Sequence, residues 1–455
     1  MIHAYSLGGY NIVLDVHSGA VHLFDEIGMR LIEQITPPMQ PECPAETLAA
    51  LKDRFSGEEI AETWQELYQL QQEGQLFSED DYARFADKMV PSPIKAMCLH
   101  VAHDCNLRCE YCFAGTGSYS GRRSVMPVET GKKAIDYLIA HSQGRHNLEV
   151  DFFGGEPLLN FPLIKEVVAY ARSLEKEHNK CFRFTVTTNG VLLDDEKIDF
   201  INREMYNVVL SVDGRPQVND RIRHRVDGSG CYEQIMPKFK ELVRRRGDGQ
   251  YYIRGTFTRY NLDFSEDVLH FYREGFDQIS IEPVVAPQSA PYSLTEEHLP
   301  LIYEEYERLA QKMIEYRRAG KRFNFFHFML DLDQGPCAIK RLRGCGCGNE
   351  YVAITPDGEV YPCHQFVGME DYRMGDIFEN TIDWNMKADF AKSTVYDKPE
   401  CRECWAKFYC SGGCNANNLQ YGGSIRTPAR LSCALEKKRL ECAIMLKCSM
   451  LDDPT

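Results

Sequence analysis

Three cysteines that stand close together have the clearest chemical potential in this chain. Cys105, Cys109 and Cys112 form a C-x3-C-x2-C run directly after the apolar segment 94–101. Three thiolates on one short loop can each bind one iron of a cubane cluster and leave the fourth iron open to a small molecule. The alternatives are a disulfide with a spare thiol or part of a zinc site. Dense cysteines in a chain without an export signal favour metal binding.

A larger group of cysteines lies in the last quarter of the chain. Seven of them follow the pattern C-x12-G-x4-C and then C-x2-C-x5-C-x3-C with one later cysteine: Cys345, Cys363, Cys401, Cys404, Cys410, Cys414 and Cys433. A zinc ribbon is the simplest alternative, because CxxC pairs bind zinc well. A zinc ribbon uses four ligands in two knuckles, however, whereas seven cysteines fit a set of four plus a set of three.

The composition narrows the class of protein. The chain has 455 residues, with 52 basic and 67 acidic side chains and a formal net charge of −15. This balance argues against general binding of nucleic acid or anionic membranes. No apolar run approaches the ~20 residues that span a bilayer, and the first residues lack the basic start and apolar core of a secretory signal. We therefore expect a cytoplasmic protein with two or three domains.

The elements that must position the first cysteines alternate between strands and helices. Predicted strands are Ala96–Val101, Leu148–Phe153, Phe182–Thr187, Val208–Val212, Tyr252–Phe257 and Gln278–Pro283. Predicted helices are Pro127–His141, Phe161–Leu174, Asp195–Arg203, Tyr232–Arg246 and Ser265–Arg273. This α/β repetition predicts parallel strands joined by crossovers, either as a partial (β/α)6 TIM-like barrel or as a doubly wound sheet. In both folds the carboxyl ends of the strands face the site.

The two ends of the chain differ from this repeat. Residues 1–90 read as a small separate domain, with a β-hairpin across 11–24 and three helical patterns, before the linker Pro91-Ser92-Pro93. A long helix is predicted for Leu301–Ala319. Glycine and short polar turns dominate 335–435, so we expect little hydrophobic core there and a tail held together by metal.

Polar groups stand where the predicted strands end. The second strand runs into Gly154-Gly155-Glu156-Pro157, and the next two strands run into Thr187-Thr188-Asn189-Gly190 and Ser211-Val212-Asp213-Gly214. A carboxylate can accept a bond from an ammonium, and hydroxyls and amides can bind a ribose or a carboxylate. Taken singly, each segment is equally consistent with a turn or a helix cap.

The cysteine loop, its aromatic end at Phe113 and the GGEP segment together resemble the radical S-adenosylmethionine (SAM) enzymes. The resemblance implies that Cys105, Cys109 and Cys112 hold a SAM-binding [4Fe–4S] cluster and that Glu156, with Gly154 and Gly155, receives the SAM amino group. It also implies further SAM contacts: ribose or methionine contacts from Thr188, Asn189 and Ser211, a bidentate bond to the carboxylate from Arg223, and adenine packing against Phe113 and 282–284.

The tail resembles the SPASM domain, which carries two auxiliary [4Fe–4S] clusters. Carried over by position, one cluster is ligated by Cys401, Cys404, Cys410 and Cys433, and the other by Cys345, Cys363 and Cys414. Cys347 falls where alanine is more usual in the family. If neither Cys347 nor Cys337 is a ligand, the second cluster keeps one iron free for a substrate thiolate.

The whole chain is similar to the maturases of SCIFF peptides. The similarity rests on Gly344–Val352 and on Pro362-Cys363-His364-Gln365-Phe366, and it implies four units: a winged-helix-like leader-peptide recognition domain (1–90), a radical SAM partial barrel (91–295), a helical bridge (296–335) and a SPASM domain (336–455).

This similarity implies an activity, cofactors and partners. The activity is the formation of sactipeptide-type thioether cross-links, from a cysteine sulfur to an α-carbon, in a Cys-rich precursor peptide. The cofactors are SAM and three [4Fe–4S] clusters, and a ferredoxin or flavodoxin supplies electrons in an anaerobe. No residue is assigned as a catalytic acid or base.

Two alternatives stay open. The first is another SPASM peptide modification, such as a carbon–carbon cross-link or the formylglycine formation of anaerobic sulfatase-maturating enzymes. For the latter, His364 here replaces the Asp that serves there as base. The second is a non-catalytic iron–sulfur or zinc scaffold that binds a peptide.

Overall fold

The protein is described by a computed structural model that covers residues 1–119, 121–332 and 338–451. Cys337, a candidate cluster ligand, lies outside the described residues. Within these ranges, no helix combines the length and the apolar character required to cross a lipid bilayer.

A three-stranded antiparallel sheet and four helices form the first part of the chain. The strands are β1 (Ile2–Leu7), β2 (Tyr10–Asp15) and β3 (Val21–Leu23), in the order β1-β2-β3. The helices are α1 (Glu26–Ile32), α2 (Ala45–Leu51), α3 (Gly57–Gln72) and α4 (Ala83–Ala86). The predicted hairpin corresponds to β2 and β3, whereas β1 gave no recognisable strand pattern. The carboxylate of Asp25 accepts the amide of Gly28 and caps α1.

The central part of the chain is the predicted α/β repeat. Its strands are β4 (Ala96–His103), β5 (Ser124–Val125), β6 (Asn147–Gly154), β7 (Cys181–Thr188), β8 (Met205–Ser211), β9 (Gln250–Phe257), β10 (Gln278–Pro283) and β11 (Asn324–Phe325). Its helices are α5 (Val128–Ser142), α6 (Phe161–His178), α7 (Asp195–Glu204), α8 (Pro216–Ile222), α9 (Tyr232–Arg246), α10 (Phe264–Arg273) and α11 (Leu299–Arg318).

The strand order decides between the two candidate folds. Strands β4, β6, β7, β8, β9, β10 and β11 are parallel neighbours in chain order. A doubly wound sheet would reverse its order at a switch point. The fold is therefore the partial TIM-like barrel, and the predicted strands and helices are confirmed with shifts of a few residues at their ends. The short strand β5 pairs antiparallel with β4.

The tail continues the same sheet. Strand β12 (Tyr351–Ile354) pairs parallel with β4, and β13 (Glu359–Tyr361) and β14 (Gly375–Asp376) follow it as antiparallel neighbours. Val352, Ile354 and Val360 are buried in the main core as a result. The expectation of a tail with little hydrophobic core is therefore wrong, because a short strand gains apolar neighbours by pairing with a barrel strand 250 residues away.

The remaining helices complete the tail and hold the N-terminal part against it. They are α12 (Ala338–Arg343), α13 (Trp384–Lys392), α14 (Pro399–Arg402), α15 (Lys407–Cys410), α16 (Asn415–Gly422) and α17 (Arg430–Cys448). Asp80 accepts hydrogen bonds from Lys407 at 2.9 Å and from Tyr396 at 2.5 Å. The ring of His3 stacks on Trp405 with 3.8 Å between centroids. The N-terminal sheet thus packs on the cysteine-rich tail.

Candidate active site

The loop with the first three cysteines follows β4, at the carboxyl end of the barrel. The amide of Arg108 donates to the carbonyl of His224 at 2.7 Å, which fixes the loop against the segment after α8. Burial raises the pKa of Cys105 to about 11 and that of Cys109 to about 12. Thiolates at these positions therefore need a cation beside them. The donor set fits iron, which supplies that charge.

A buried polar network connects this loop to the neighbouring barrel strands. The Tyr111 hydroxyl donates to Asp213 at 2.8 Å, and Arg223 Nη1 donates to the Tyr111 oxygen at 2.9 Å. Arg223 is 7% exposed, and its Nε has no hydrogen-bond partner in the described part of the chain. The guanidinium is thus already engaged on one side. Its Nε–H is free to donate to a carboxylate, and the bidentate bond to the SAM carboxylate stays a prediction.

The two glycines of the GGEP segment are required by close packing. A Cβ on Gly154 would lie 2.2 Å from the carbonyl oxygen of Ala102, and one on Gly155 would lie 2.1 Å from that of Asp104. Gly154 also has a φ of +123°. The end of β6 therefore runs against the start of the cysteine loop with no room for side chains.

Glu156 is buried behind the cysteine loop and binds its neighbours. Its carboxylate accepts the Thr188 hydroxyl at 2.7 Å, the Asn189 amide at 2.8 Å and the Leu158 amide at 3.1 Å. Burial raises its pKa to about 6 despite these bonds. A carboxylate has about four acceptor positions, so one remains for an ammonium.

The other predicted SAM contacts divide into two sets. Asn189 Nδ2 lies 2.8 Å from Asn106 Oδ1 and 3.6 Å from the sulfur of Cys105, so Asn189 and Thr188 stand beside the cysteine loop. Phe113, Ser211 and Arg223 line the large cavity described below. The structure thus gathers both sets around one end of the barrel.

Four of the tail cysteines surround a cavity of about 460 Å³. They are the four that the sequence resemblance assigns to one cluster: Cys401, Cys404, Cys410 and Cys433. Among the described residues, no three His, Cys, Asp or Glu side chains converge as they would around a single metal ion. A cluster places a separate iron at each thiolate, so its ligands must surround a volume instead. This cavity provides such a volume.

The other tail cysteines form a separate group. Burial and the neighbouring thiols of Cys363 and Cys345 raise the pKa of Cys414 to about 11. Cys347 belongs to the same group, because its thiol interacts with Cys345, Cys363 and Cys414. The structure therefore brings together the three predicted ligands and adds a fourth thiol.

A buried lysine lies between the two tail groups, and no local sequence signal marked it. Lys398 is 1% exposed, and its ammonium donates to the carbonyl of Gly412 at 2.9 Å. Burial lowers the pKa of Lys398, whereas Cys401, Cys410 and Cys414 act in the opposite direction. A buried cation at this position stabilises negative charge on either thiolate group.

One cavity of about 1010 Å³ connects the barrel to the tail. Its wall includes Cys112 and Phe113 from the barrel loop and Cys410, Cys414 and Cys433 from the tail. The sequence predicted the barrel loop and the tail cysteines as separate sites. It did not predict that both sites line one cavity.

Charged and aromatic side chains complete the cavity wall. Glu282 pairs with His327 at 3.1 Å between Oε1 and Nε2. Burial alone would raise the pKa of Glu282, but His327, Arg254 and Arg439 lower it well below its usual range. Glu282 is therefore an anionic group at neutral pH. The segment 282–284, which was predicted to pack against adenine, thus also contributes a negative charge through Glu282.

His364 lies on the same wall, between the rings of Phe113 and Phe153, with centroid distances of 5.4 and 5.0 Å. Burial and then Arg254 lower its pKa to about 4. Its Nδ1 is buried and finds no hydrogen-bond partner within the described ranges. His364 is therefore neutral at pH 7, with an unpaired nitrogen in the cavity wall.

Comparison with protein families agrees with the two cysteine regions. Residues 99–270 match the model of the radical SAM superfamily, and residues 345–405 match the SPASM iron–sulfur cluster-binding domain. The chain thus combines a radical SAM domain with a SPASM domain. This combination is typical of radical SAM enzymes, a class that uses SAM and iron–sulfur clusters.

Individual relatives share this organisation. The chain is 23% identical over 331 residues to a cysteine-type anaerobic sulfatase-maturating enzyme of Clostridium novyi, which covers 69% of this chain and 86% of the relative. Among solved structures, native anSMEcpe with bound AdoMet matches with a TM-score of 0.66 at 20% identity, over 78% of this chain and 97% of that chain. SuiB of Streptococcus suis bound to its precursor peptide SuiA matches with a TM-score of 0.52 at 15% identity. The match covers 94% of this chain and 97% of the SuiB chain.

Proposed function

We propose that this protein forms intramolecular thioether cross-links, from a cysteine sulfur to an α-carbon, in a Cys-rich ribosomal precursor peptide. The observation that carries the proposal is the shared cavity, in which Cys112 of the barrel loop and Cys414 and Cys433 of the tail line one space. A cross-link of this kind removes one hydrogen from carbon and one from sulfur. It therefore needs a hydrogen acceptor at one end of the substrate and an exit for an electron nearby.

The proposal includes three [4Fe–4S] clusters: one on Cys105, Cys109 and Cys112, and two on the tail cysteines. When bound, SAM and the loop cluster supply the radical that removes hydrogen from the peptide carbon. Arg223 has the free Nε–H to orient the SAM carboxylate, and Phe113 offers a face for the adenine. In this proposal, neutral His364 takes the proton of the peptide thiol as sulfur bonds to carbon.

The size and position of the cavities support a peptide substrate. A volume of about 1010 Å³ lies at the upper end of the range for ligand pockets and leaves room for part of a peptide. The relative SuiB was solved with a precursor peptide, and its likeness to this chain covers the N-terminal domain as well. We extend to this chain the use of a Cys-rich precursor peptide as its partner.

The N-terminal domain, residues 1–90, is the proposed leader-binding unit. Strand β3 is an edge strand, and a groove of about 870 Å³ beside it is lined by Val21, Leu23, Phe325 and Met329. A leader peptide can add to such an edge as a further strand. Holding the leader there raises the effective concentration of the core peptide at the barrel, 91–295, and the SPASM domain, 336–455. In this proposal the segment 296–335 is a helical bridge between the two, and a ferredoxin or flavodoxin is the electron donor.

The sulfatase-maturating relatives favour formylglycine formation as a second candidate function. Their reaction oxidises a single residue, so it also needs an electron exit and a base in the cavity. His364 can act as that base here. The two candidates therefore differ in product rather than in the residues that line the site.

Mass spectrometry of a treated peptide distinguishes the candidates. The reconstituted protein is incubated without oxygen with SAM, a reductant and a Cys-rich precursor. Thioether formation predicts a loss of two hydrogens per link, together with a fragment gap between the joined residues. Conversion of a thiol to an aldehyde in an uncrosslinked peptide would favour formylglycine formation. Intact SAM in a protein that holds zinc would exclude both reactions.

A further inference from the structure

The group of Cys345, Cys363 and Cys414 includes a fourth thiol, that of Cys347, which is buried. We propose that Cys347 is a ligand of the same cluster, so that four protein thiolates close it and no iron remains for a substrate thiolate. The inference rests on the SPASM domain binding a cluster here. It does not depend on thioether formation.

The first support is the position of the Cys347 thiol. It lies in the same buried apolar cluster as Cys363, and Cys345 and Cys414 are near enough to raise its pKa together with Cys363. Cys347 is 5% exposed. A thiol beside these candidate ligands is positioned to bind an iron of the cluster that they would hold.

The second support is that the backbone of this loop is firmly held. Gly346 and Gly348, on either side of Cys347, have φ values of +78° and +68°, and a Cβ on Gly348 would lie 2.4 Å from the ring of Phe390. The Gly348 amide donates to the carbonyls of Tyr351 and Pro362, each at 3.0 Å. Because Pro362 directly precedes Cys363, these bonds hold the Cys347 segment beside that ligand. The glycines and their contacts thus maintain the thiol position.

The alternative is that Cys347 is an ordinary core thiol, like Cys98. Both belong to one apolar cluster with Phe366 and Phe390. Cys98, however, is 1% exposed on β4, and its thiol is hydrogen-bonded to Tyr351. Of the four grouped thiols, only that of Cys363 affects the pKa of Cys98. Cys347 interacts with all three others. Cys98 therefore serves as the matched control: it is a buried thiol in the same apolar cluster, and it is not expected to bind iron.

The test uses the full chain with Cys105, Cys109 and Cys112 all replaced by alanine, so that only the tail sites are loaded. Neither SAM nor peptide is added, so failure here is distinct from failure of the proposed function. Iron and sulfide are counted, and the reduced protein is examined by electron nuclear double resonance with added ¹³C-cyanide, which binds an open iron.

We expect about eight irons and no ¹³C coupling in this background, because two [4Fe–4S] clusters are both closed. Adding Cys347→Ala opens one iron, which then shows ¹³C coupling, or removes about four irons. Adding Cys98→Ala leaves iron content and spectrum unchanged. Cys347→Ser keeps the side-chain size, so this variant tests the ligand role even if the alanine variant misfolds. If the serine oxygen replaces the sulfur ligand, the g values of the reduced cluster shift.

Two results would overturn the inference. One is ¹³C coupling in the background protein itself, which shows an iron already open. The other is that both Cys347 variants match the background in iron content, spectrum and response to cyanide.

Discussion

The hydroxyl of Tyr111 donates a hydrogen bond to the carboxylate of Asp213 at 2.8 Å, 102 residues away in sequence. The contact joins the middle of the cysteine loop to the chain just after β8, and Arg223 closes the network from a third segment. The loop that would hold the SAM-binding cluster is thus positioned by the barrel and not only by its own turns.

Replacing Tyr111 by phenylalanine tests this positioning. The variant leaves a buried carboxylate and a buried guanidinium each short of a partner, which costs about 1–3 kcal/mol. We expect that loss in the free energy of unfolding of the metal-free protein, measured with denaturant, together with slower SAM cleavage after reconstitution. Tyr206→Phe removes an exposed hydroxyl and serves as the control. Equal stabilities for the two variants would mean that the network does not support the loop.

Two cysteines on helix α17 give a matched pair for the tail cluster. Cys433 lines the cavity with Cys401, Cys404 and Cys410, whereas Cys442 is fully buried in the core. Cys433→Ala should lower the iron content by about four per chain, because one cluster loses a ligand. Cys442→Ala should keep all the iron and cost only packing energy, about 1 kcal/mol. Iron assay and thermal unfolding measure the two effects, and iron loss in both variants would contradict the assignment.

His364 is expected to matter for the peptide step more than for SAM cleavage. A glutamine at this position keeps a polar side chain but cannot take a proton at neutral pH, and loss of a general base typically costs 10²-fold or more. His364→Gln should therefore lower the yield of cross-linked peptide by about 10²-fold per 5′-deoxyadenosine formed. His146→Gln, at an exposed histidine, should leave that ratio unchanged. If His364→Gln lowers both products equally, His364 is not the base.

Lys398 should tune the reduction potentials of the tail clusters. Its buried charge stands near Cys401, Cys410 and Cys414 and favours the reduced, more negative state of a cluster. Lys398→Met should lower at least one potential by on the order of 50–100 mV, which a redox titration followed by electron paramagnetic resonance detects. Lys392→Met removes an exposed charge from α13 and should have no such effect. Unchanged potentials in Lys398→Met would show that the lysine is only structural.

Local pattern was sufficient for the barrel and for the groups of cysteines. Strand β4 and each strand from β6 to β10 is a separate apolar run with its own turn, and the resemblance to the SPASM domain grouped Cys401, Cys404 and Cys410. These features depend on residues within about ten positions of each other, so the local sequence is sufficient to predict them. The same holds for the segment at Gly154, whose glycines mark a close backbone approach.

Only the tertiary structure decided which distant segments meet. Strand β12 has four residues and carries no strong pattern, yet it pairs with β4 and builds the tail into the barrel sheet. The network of Tyr111, Asp213 and Arg223 and the shared cavity also arise from contacts between segments far apart in sequence. Spacing in the sequence grouped thiols that can share a cluster, but the burial of Cys347 against three other thiols follows from folding. The sequence alone thus determined the ligand chemistry, and long-range packing decided how many thiolates surround each site.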